Sequence, residues 1–211
     1  MRPILFKTEM VKAILEGRKS VTRRDPFQLP EHFKAVDGMY RDDERRLCAV
    51  FHSAEELKAV YPRYDREDIL WVRETWACPS KVEINNGANP NAYIYKADKP
   101  ALPCAYDRWR PSIHMPQEAA RIFLRVTGVR VERLQDMRLK DCEKEGIQLN
   151  FVESADLVMG PIRARERFSG VWDGTIKPKD LSTCGWEANP WVWVIEFERI
   201  SKDEAMGRCA G

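Results

Sequence analysis

The sequence has almost no net charge and no long apolar run. Its 211 residues include 35 lysines and arginines against 33 aspartates and glutamates, which gives a formal charge of +2. Any attraction to nucleic acid therefore has to come from a local patch of cations. No apolar run reaches the ~18 residues that span a bilayer, and residues 1–10 lack the basic-then-apolar order of a secretory signal. We expect a cytoplasmic protein without a membrane partner.

Metal and cofactor signals are also scarce. Zinc and redox centres typically use a Cys-x-x-Cys pair, and the six scattered cysteines of this chain contain none. We therefore expect reduced thiols, no metal and no cofactor. Cys48 and His52 have a metal-like spacing, but three histidines in the whole chain leave few ligands for a second pair. A Gly-rich phosphate loop and a βαβ rhythm are absent as well, which argues against a doubly wound sheet.

What the sequence does contain is a set of short apolar and alternating segments. Three short helices are expected: one after Thr8, which we expect to cap it, one over residues 139–145 and one over residues 161–172. Strands are expected over residues 4–6, 47–51, 69–76, 92–96, 121–134 and 191–197. Many strands with few helices favour an α+β fold, a small β-barrel decorated by short helices.

A basic segment follows Gly17, which we expect to end the first helix. Residues 18–26 carry four cations within seven residues, and we expect them to form a basic loop or an edge strand. Adjacent guanidinium groups, an ammonium and a hydroxyl suit the binding of phosphate or of a polarised carbonyl oxygen. The alternative from the residues alone is a solvated cationic turn paired with Asp25 and nearby acids. The candidate side chains are Lys19, Thr22, Arg23 and Arg24.

Aromatic and polar residues in the middle of the chain form a second group of candidates. Polar, loop-forming sequence flanks Trp76 and Trp109, so we expect these two to be the exceptions while about five of the seven tryptophans pack in the core. An exposed indole could stack on a base. His114 lies in a proline-bound loop with Arg110 and Ser112, which suits phosphate contact or proton transfer, with a structural hydrogen bond as the alternative.

The strand over residues 69–76 adds two further candidates. Arg73 and Glu74 are adjacent, and Glu74 is interpreted as a buried acid that contributes to a ligand site or neutralises a cation. We take an ion pair between Glu74 and Arg24 as the default.

Three of these segments together resemble the ASCH family of the PUA-like superfamily. They are the strand and helix ending in Gly-Arg-Lys, residues 68–73, and the closing Trp-Val-Ile-Glu-Phe strand at residues 193–197. The spacing of Gly17, Lys19 and Arg24 is similar to the family's Gly-x-Lys-x-x-Glu-x-Arg signature, with Thr22 in place of glutamate. The full-length pattern resembles phage and prophage ASCH-domain proteins, often labelled morphogenetic. The resemblance implies a PUA-like β-barrel whose cleft, at residues 17–24, binds RNA or a nucleoside.

The basic segment is also similar to a run in the small bacterial N4-acetylcytidine amidohydrolases. On that resemblance, Lys19 and Thr22 fall on the catalytic lysine and threonine, and residues 142–145 on the stretch that carries the catalytic glutamate. Glu145 is the expected acid, with Glu143 left open.

The resemblance implies a proton route for amide hydrolysis. Lys19, with its pKa lowered by Arg23 and Arg24, would accept a proton from Thr22 or from water. Glu145 would pass a proton to the departing amine, and Arg24 or backbone N–H groups would stabilise the oxyanion.

Three functions remain open on the sequence. Binding of RNA or a nucleotide-like ligand ranks first, followed by hydrolysis at the same cleft, as an amidohydrolase or a ribonuclease, and then by a phage assembly role in a bacterial host. No protein partner can be named. We expect one domain over residues 1–200, a frayed tail over residues 201–211, and insertions relative to the compact amidohydrolases near residues 27–67, 79–108 and 148–188.

Overall fold

The computed structural model describes residues 1–27, 29, 36–53, 56–99, 101–147 and 156–207. The chain divides into two units, each assembled from separate stretches of sequence. The first unit comprises Met1–Gly17, Asp68–Arg125 and Glu198–Gly211, and the second comprises Arg18–Glu67 and Val126–Phe197. The expectation of one domain over residues 1–200 stays a prediction.

Strands and helices are mixed along the described chain, which confirms the α+β class. The strands are β1 (Arg2–Leu5), β2 (Val21–Phe27), β3 (Val36–Arg41), β4 (Leu47–His52), β5 (Leu57–Val60), β6 (Ile69–Arg73), β7 (Trp76–Ala77), β8 (Ile94–Tyr95), β9 (Phe123–Arg133) and β10 (Trp191–Ile200). The helices are α1 (Thr8–Leu15), α2 (Lys81–Asn85), α3 (Leu139–Lys144), α4 (Asp156–Asp173), α5 (Leu181–Cys184) and α6 (Lys202–Ala205). None of the helices described is both long and apolar enough to cross a membrane.

In the first unit, β1 pairs in parallel with β6, and β6 pairs antiparallel with the start of β9. Helix α1 buries Val11, Ala13 and Ile14, as its apolar periodicity predicts. Thr8 does not cap this helix, because the N-cap residue is Lys7 and no side chain caps the terminus. Gly17 has a φ of +74°, so it ends the helical segment in the left-handed region, as expected.

In the second unit, β10 lies between β9 and β2, and β2 is the edge strand. The expectation of a basic edge strand is confirmed, and Pro26 is accommodated because an edge strand tolerates a missing N–H donor. One face of these strands packs on the helices α3 and α4 through Val194 and Phe168. The other face packs on the antiparallel β3-β4-β5 sheet through Phe51 and Trp193. The sheet therefore has helices on one side and strands on the other.

Several expectations about elements were wrong. The strand over residues 69–76 ends at Arg73 and resumes as β7, and more helices form than the three expected. Part of the segment over residues 27–67 forms the β3-β4-β5 sheet. Residues 202–205 form the short helix α6, where the Ser201 side chain caps the N-terminus by accepting from the Glu204 N–H, and fraying of residues 201–211 stays a prediction. Residues 148–155 and 208–211 lie outside the described residues.

No closed barrel is detected among the described strands, so barrel closure stays a prediction.

Two glycines should respond oppositely to alanine. Gly17→Ala should lower the free energy of unfolding by about 1–2 kcal/mol, because Gly17 has a positive φ that an alanine Cβ disfavours. Gly170→Ala should raise it by about 0.5–1 kcal/mol, because Gly170 lies inside α4 and a Cβ there meets no atom within 4 Å. Urea unfolding followed by circular dichroism measures both changes. Shifts of the same sign would contradict the prediction.

Candidate active site

Backbone pairing brings the basic segment against the end of α3. Lys19 and Glu145 form an isolated antiparallel bridge, and the Ser20 N–H donates to the Lys144 carbonyl at 2.9 Å. Helix α3 stops at this point because Gly146, with a φ of +87°, reverses the chain. Arg18 supports the turn by donating to the Gly146 carbonyl at 3.0 Å. The backbone thus holds Lys19 opposite the helix C-terminus.

The Lys19 ammonium is buried and saturated. Its Nζ donates to Glu145 Oε2 at 2.6 Å, to the Glu145 carbonyl at 2.8 Å and to the Val21 carbonyl at 2.7 Å. Lys19 is 4% exposed and Glu145 is 5% exposed. Three donors meet three oxygens, which is the condition under which a buried charge is tolerated. Glu143, the alternative left open by the sequence, is exposed on the same helix.

Arg23 holds the other oxygen of the Glu145 carboxylate. Its backbone N–H and its Nη1 donate to Glu145 Oε1 at 2.8 and 3.1 Å. The same guanidinium donates from Nε to Glu132 at 2.9 Å, and Asp141 lies 3.7 Å from Nη2. Both carboxylate oxygens of Glu145 are therefore held by cations, and Arg23 is itself held by further acids.

The network continues from the buried pair toward the surface. Glu132 Oε2 lies 3.4 Å from Arg130 Nε, and Arg130 also pairs with Glu196. Arg130 and Glu196 are part-exposed, whereas Arg23 is 3% exposed. Charges of alternating sign therefore run from Lys19 to the part-exposed Glu196.

Burial lowers the pKa of Lys19 below its ordinary value of 10.5. Glu145 opposes this shift, while Arg24 and Arg23 add smaller contributions that lower the pKa further. The direction agrees with the sequence expectation, but the main cause is desolvation and not the two arginines. A lysine of lowered pKa beside a carboxylate is a candidate for proton transfer.

Thr22 lies on the opposite face of β2 from Arg23. Residues 21–24 pair with β10 in regular register, so side chains alternate between the two faces. Thr22 is 4% exposed, and its Oγ1 accepts from Arg24 Nε at 3.2 Å. The structure brings Lys19, Arg23 and Glu145 together and places Thr22 with Arg24 on the other face.

The alternative of a solvated cationic turn is wrong. Residues 21–27 form a strand, and Lys19 and Arg23 are buried with carboxylate partners. Arg24 is half-buried. The expected pairing with Asp25 involves a side chain outside those that the structure describes.

The remaining candidates belong to the first unit. Glu74 is 1% exposed, which confirms a buried acid. Its expected pairing with Arg24 is wrong, because Arg121 donates to both of its carboxylate oxygens, at 2.9 and 3.0 Å. Burial raises the pKa of Glu74, and the hydrogen bonds from Arg121 act in the opposite sense. Arg121 also pairs with Asp98.

The tryptophans follow the expected proportion but not the expected identity. Five are buried, as expected, and Trp76 is one of them at 4% exposure, contrary to its assignment as an exception. Polar flanking sequence misled here, because Trp76 packs edge-on against Tyr93 and bridges to the Arg110 backbone. Trp109 is half-buried, as is Trp186.

In the loop after Arg110, a 3-10 helix holds the half-buried Ser112 and the exposed His114.

Sequence reasoning missed two residues that hold the candidates in place, Glu132 and Arg121. Glu132 gave a usable signal, since it is the single acid in the eleven residues of β9. Arg121 gave none, because an arginine just before a strand is ordinary. Among the residues that the structure describes, no group of three or more His, Cys, Asp or Glu side chains could hold a metal ion.

Comparisons with protein-family models, curated proteins and solved structures find no match for this chain.

Removing the Lys19 ammonium should destabilise the fold. Lys19→Met should lower the free energy of unfolding by about 3–5 kcal/mol, because Glu145 would lose a buried partner. Adding Glu145→Gln should recover part of that loss. Lys144→Met is the matched control, since Lys144 is exposed on the same helix. Urea unfolding measures the free energy of unfolding of the wild type and of each of these variants. Equal effects at residues 19 and 144 would contradict a stabilising pair.

The lowered pKa of Lys19 also predicts a pH dependence. Between the lowered folded-state pKa and the ordinary 10.5, the unfolded chain binds a proton that the folded chain does not. The stability contributed by Lys19 should therefore rise with pH through this window. The measurement is the unfolding free energy of wild type minus that of Lys19→Met at several pH values from 7 to 10. A difference that falls with pH would show that the pKa is raised instead.

Proposed function

We propose that this chain is an ASCH-like protein of the PUA-like superfamily that binds an RNA or nucleoside-type ligand and hydrolyses an amide bond on it. The proposal includes closure of its strands into a PUA-like barrel. One observation carries it: Lys19 and Glu145, 126 positions apart in sequence, meet at 2.6 Å. The resemblance to N4-acetylcytidine amidohydrolases points to the same two residues.

The geometry favours hydrolysis over simple binding of phosphates by the basic segment. Lys19 and Arg23 are already held by Glu145 and Glu132, so a phosphate would have to displace carboxylates from buried cations. A buried lysine with a lowered pKa next to a carboxylate instead suits proton transfer. The ranking from the sequence, in which binding came first, is therefore reversed.

The chemistry that we propose begins with a water molecule. Neutral Lys19 takes a proton from that water as its oxygen bonds to the amide carbonyl carbon. The C–N bond then breaks, and Glu145 relays the proton that Lys19 took from water to the departing amine, so that Lys19 is neutral again and the products are a carboxylic acid and a free exocyclic amine. Water is favoured over the Thr22 hydroxyl as nucleophile because Thr22 lies on the other face of β2. Arg23 and Glu132 act as positioning residues, since they orient Glu145.

Turnover should depend on the buried pair. Purified protein is incubated with N4-acetylcytidine, other acylated nucleosides and short single-stranded RNA, and products are detected by mass spectrometry. Lys19→Arg, which keeps the charge but not the proton transfer, and Glu145→Gln should each lower kcat by about 10²–10⁴-fold. The matched controls are Lys144→Arg and Glu143→Gln, both at exposed positions of the same segment, and should retain wild-type rates.

The other outcomes identify the competing functions. Deacylation that is unchanged in a folded Lys19→Arg protein would contradict the assignment of the site. Cleavage of RNA without deacylation would indicate a ribonuclease. Absence of product together with salt-dependent RNA binding would indicate a binding module, and absence of both would leave the phage assembly role. Thr22→Val decides the nucleophile, since it should remain active if water attacks directly.

A further inference from the structure

Two arginines of the first unit, Arg73 and Arg110, carry charges that no described acid neutralises. Both are half-buried, and neither guanidinium takes part in an ion pair or a side-chain hydrogen bond in the described structure. Arg73 Nε is buried without a partner. By contrast, Arg121 and Arg125 of the same unit each pair with two acids. Arg108 and Arg199 of this unit also have no described acid beside them, but both are exposed, so Arg73 and Arg110 differ from them in being half-buried.

Each of the two guanidinium groups stacks on an indole. The Arg73 guanidinium carbon lies 4.8 Å from the ring centroid of Trp71, and that of Arg110 lies 5.2 Å from the ring centroid of Trp76. The two tryptophans are buried members of one apolar cluster, which also contains Met115. Stacking of this kind keeps the charge and fixes the plane of the guanidinium group.

The backbone on both sides of these stacks is held as well. The Arg110 N–H donates to the Trp76 carbonyl at 2.7 Å, and the Trp76 N–H donates in return at 3.3 Å. The Arg73 carbonyl accepts from the Phe6 N–H at 3.1 Å. Because backbone and ring positions are fixed, a ligand would pay little ordering entropy on binding these side chains.

A bound anion would remove the energetic cost of this arrangement. A half-buried cation without a counter-charge is unfavourable, and phosphate oxygens match the in-plane donors of a guanidinium group bidentately. Glu74, the acid next to Arg73 in sequence, does not serve, because both of its oxygens are held by Arg121. Ser112 and His114 follow Arg110 in the chain and offer further donors nearby in sequence.

We propose that Arg73 and Arg110 bind the phosphate groups of a nucleotide or of an RNA strand. The anion site rests on these arginines and their indoles, whereas the choice of a nucleotide as its carrier rests on the proposed function. Within the proposed substrate class, a phosphorylated nucleoside is therefore bound in preference to the free nucleoside.

Calorimetric titration of the full chain tests the proposal with four probes, namely cytidine, cytidine 5′-monophosphate, inorganic phosphate and a short single-stranded RNA. The monophosphate should bind at least ~10-fold more tightly than cytidine, and Arg73→Gln or Arg110→Gln should each weaken its binding about 10-fold. Arg108→Gln is the matched control, since Arg108 is exposed two residues before Arg110 and should bind as the wild type does. The affinity of Arg73→Lys for the monophosphate should lie between those of the wild type and Arg73→Gln, because lysine keeps the charge but loses the bidentate donor.

The failures of the two proposals are distinguishable. Unchanged binding in both Gln variants, or an equal loss in Arg108→Gln, would overturn the phosphate site. Inorganic phosphate that binds as tightly as the monophosphate would overturn the nucleotide assignment. Turnover is not part of this readout, so a protein without hydrolase activity that binds the monophosphate through these arginines supports the site and counts only against the hydrolase.

Discussion

Burial of the Lys19 ammonium against the Glu145 carboxylate is the constraint on which the second unit depends. Desolvating the two charges costs on the order of several kcal/mol per ion. Their attraction offsets this cost only where every donor and acceptor is matched. The match needs the Val21 carbonyl from β2, the carbonyl of Glu145 at the C-cap of α3 and the Arg23 guanidinium. Arg23 in turn needs Glu132 on β9. Two strands and a helix are thereby fixed in position by one pair of charges.

The distribution of charge differs between the two units. In the second unit the buried cations, Lys19 and Arg23, are held by carboxylates. In the first unit, Arg73 and Arg110 stack on indoles and have no described acid beside them.

Local patterns in the sequence were enough to predict some of the strands but not the contacts between residues distant in sequence. The apolar continuity of β10 was sufficient to predict a buried strand, and the basic run before Pro26 predicted a loop or an edge strand, of which the edge strand forms. The partner of Glu74 was not predictable, because Arg121 lies 47 positions away and pairing across that distance is set by strand register. The burial of Trp76 was hidden for the same reason, since its neighbours in space are not its neighbours in sequence. Glu145 was reached through resemblance alone.

The place of β2 at the edge of its sheet has a consequence for solubility. An edge strand presents unpaired backbone groups on which another chain can add a strand, and natural edges are protected by proline and by charge. Pro26 and Arg24 supply both on β2. The segment that carries the candidate site therefore also protects an edge of the sheet. A substitution at Pro26 or Arg24 that leaves the pair of Lys19 and Glu145 intact would still weaken this protection against pairing with another chain.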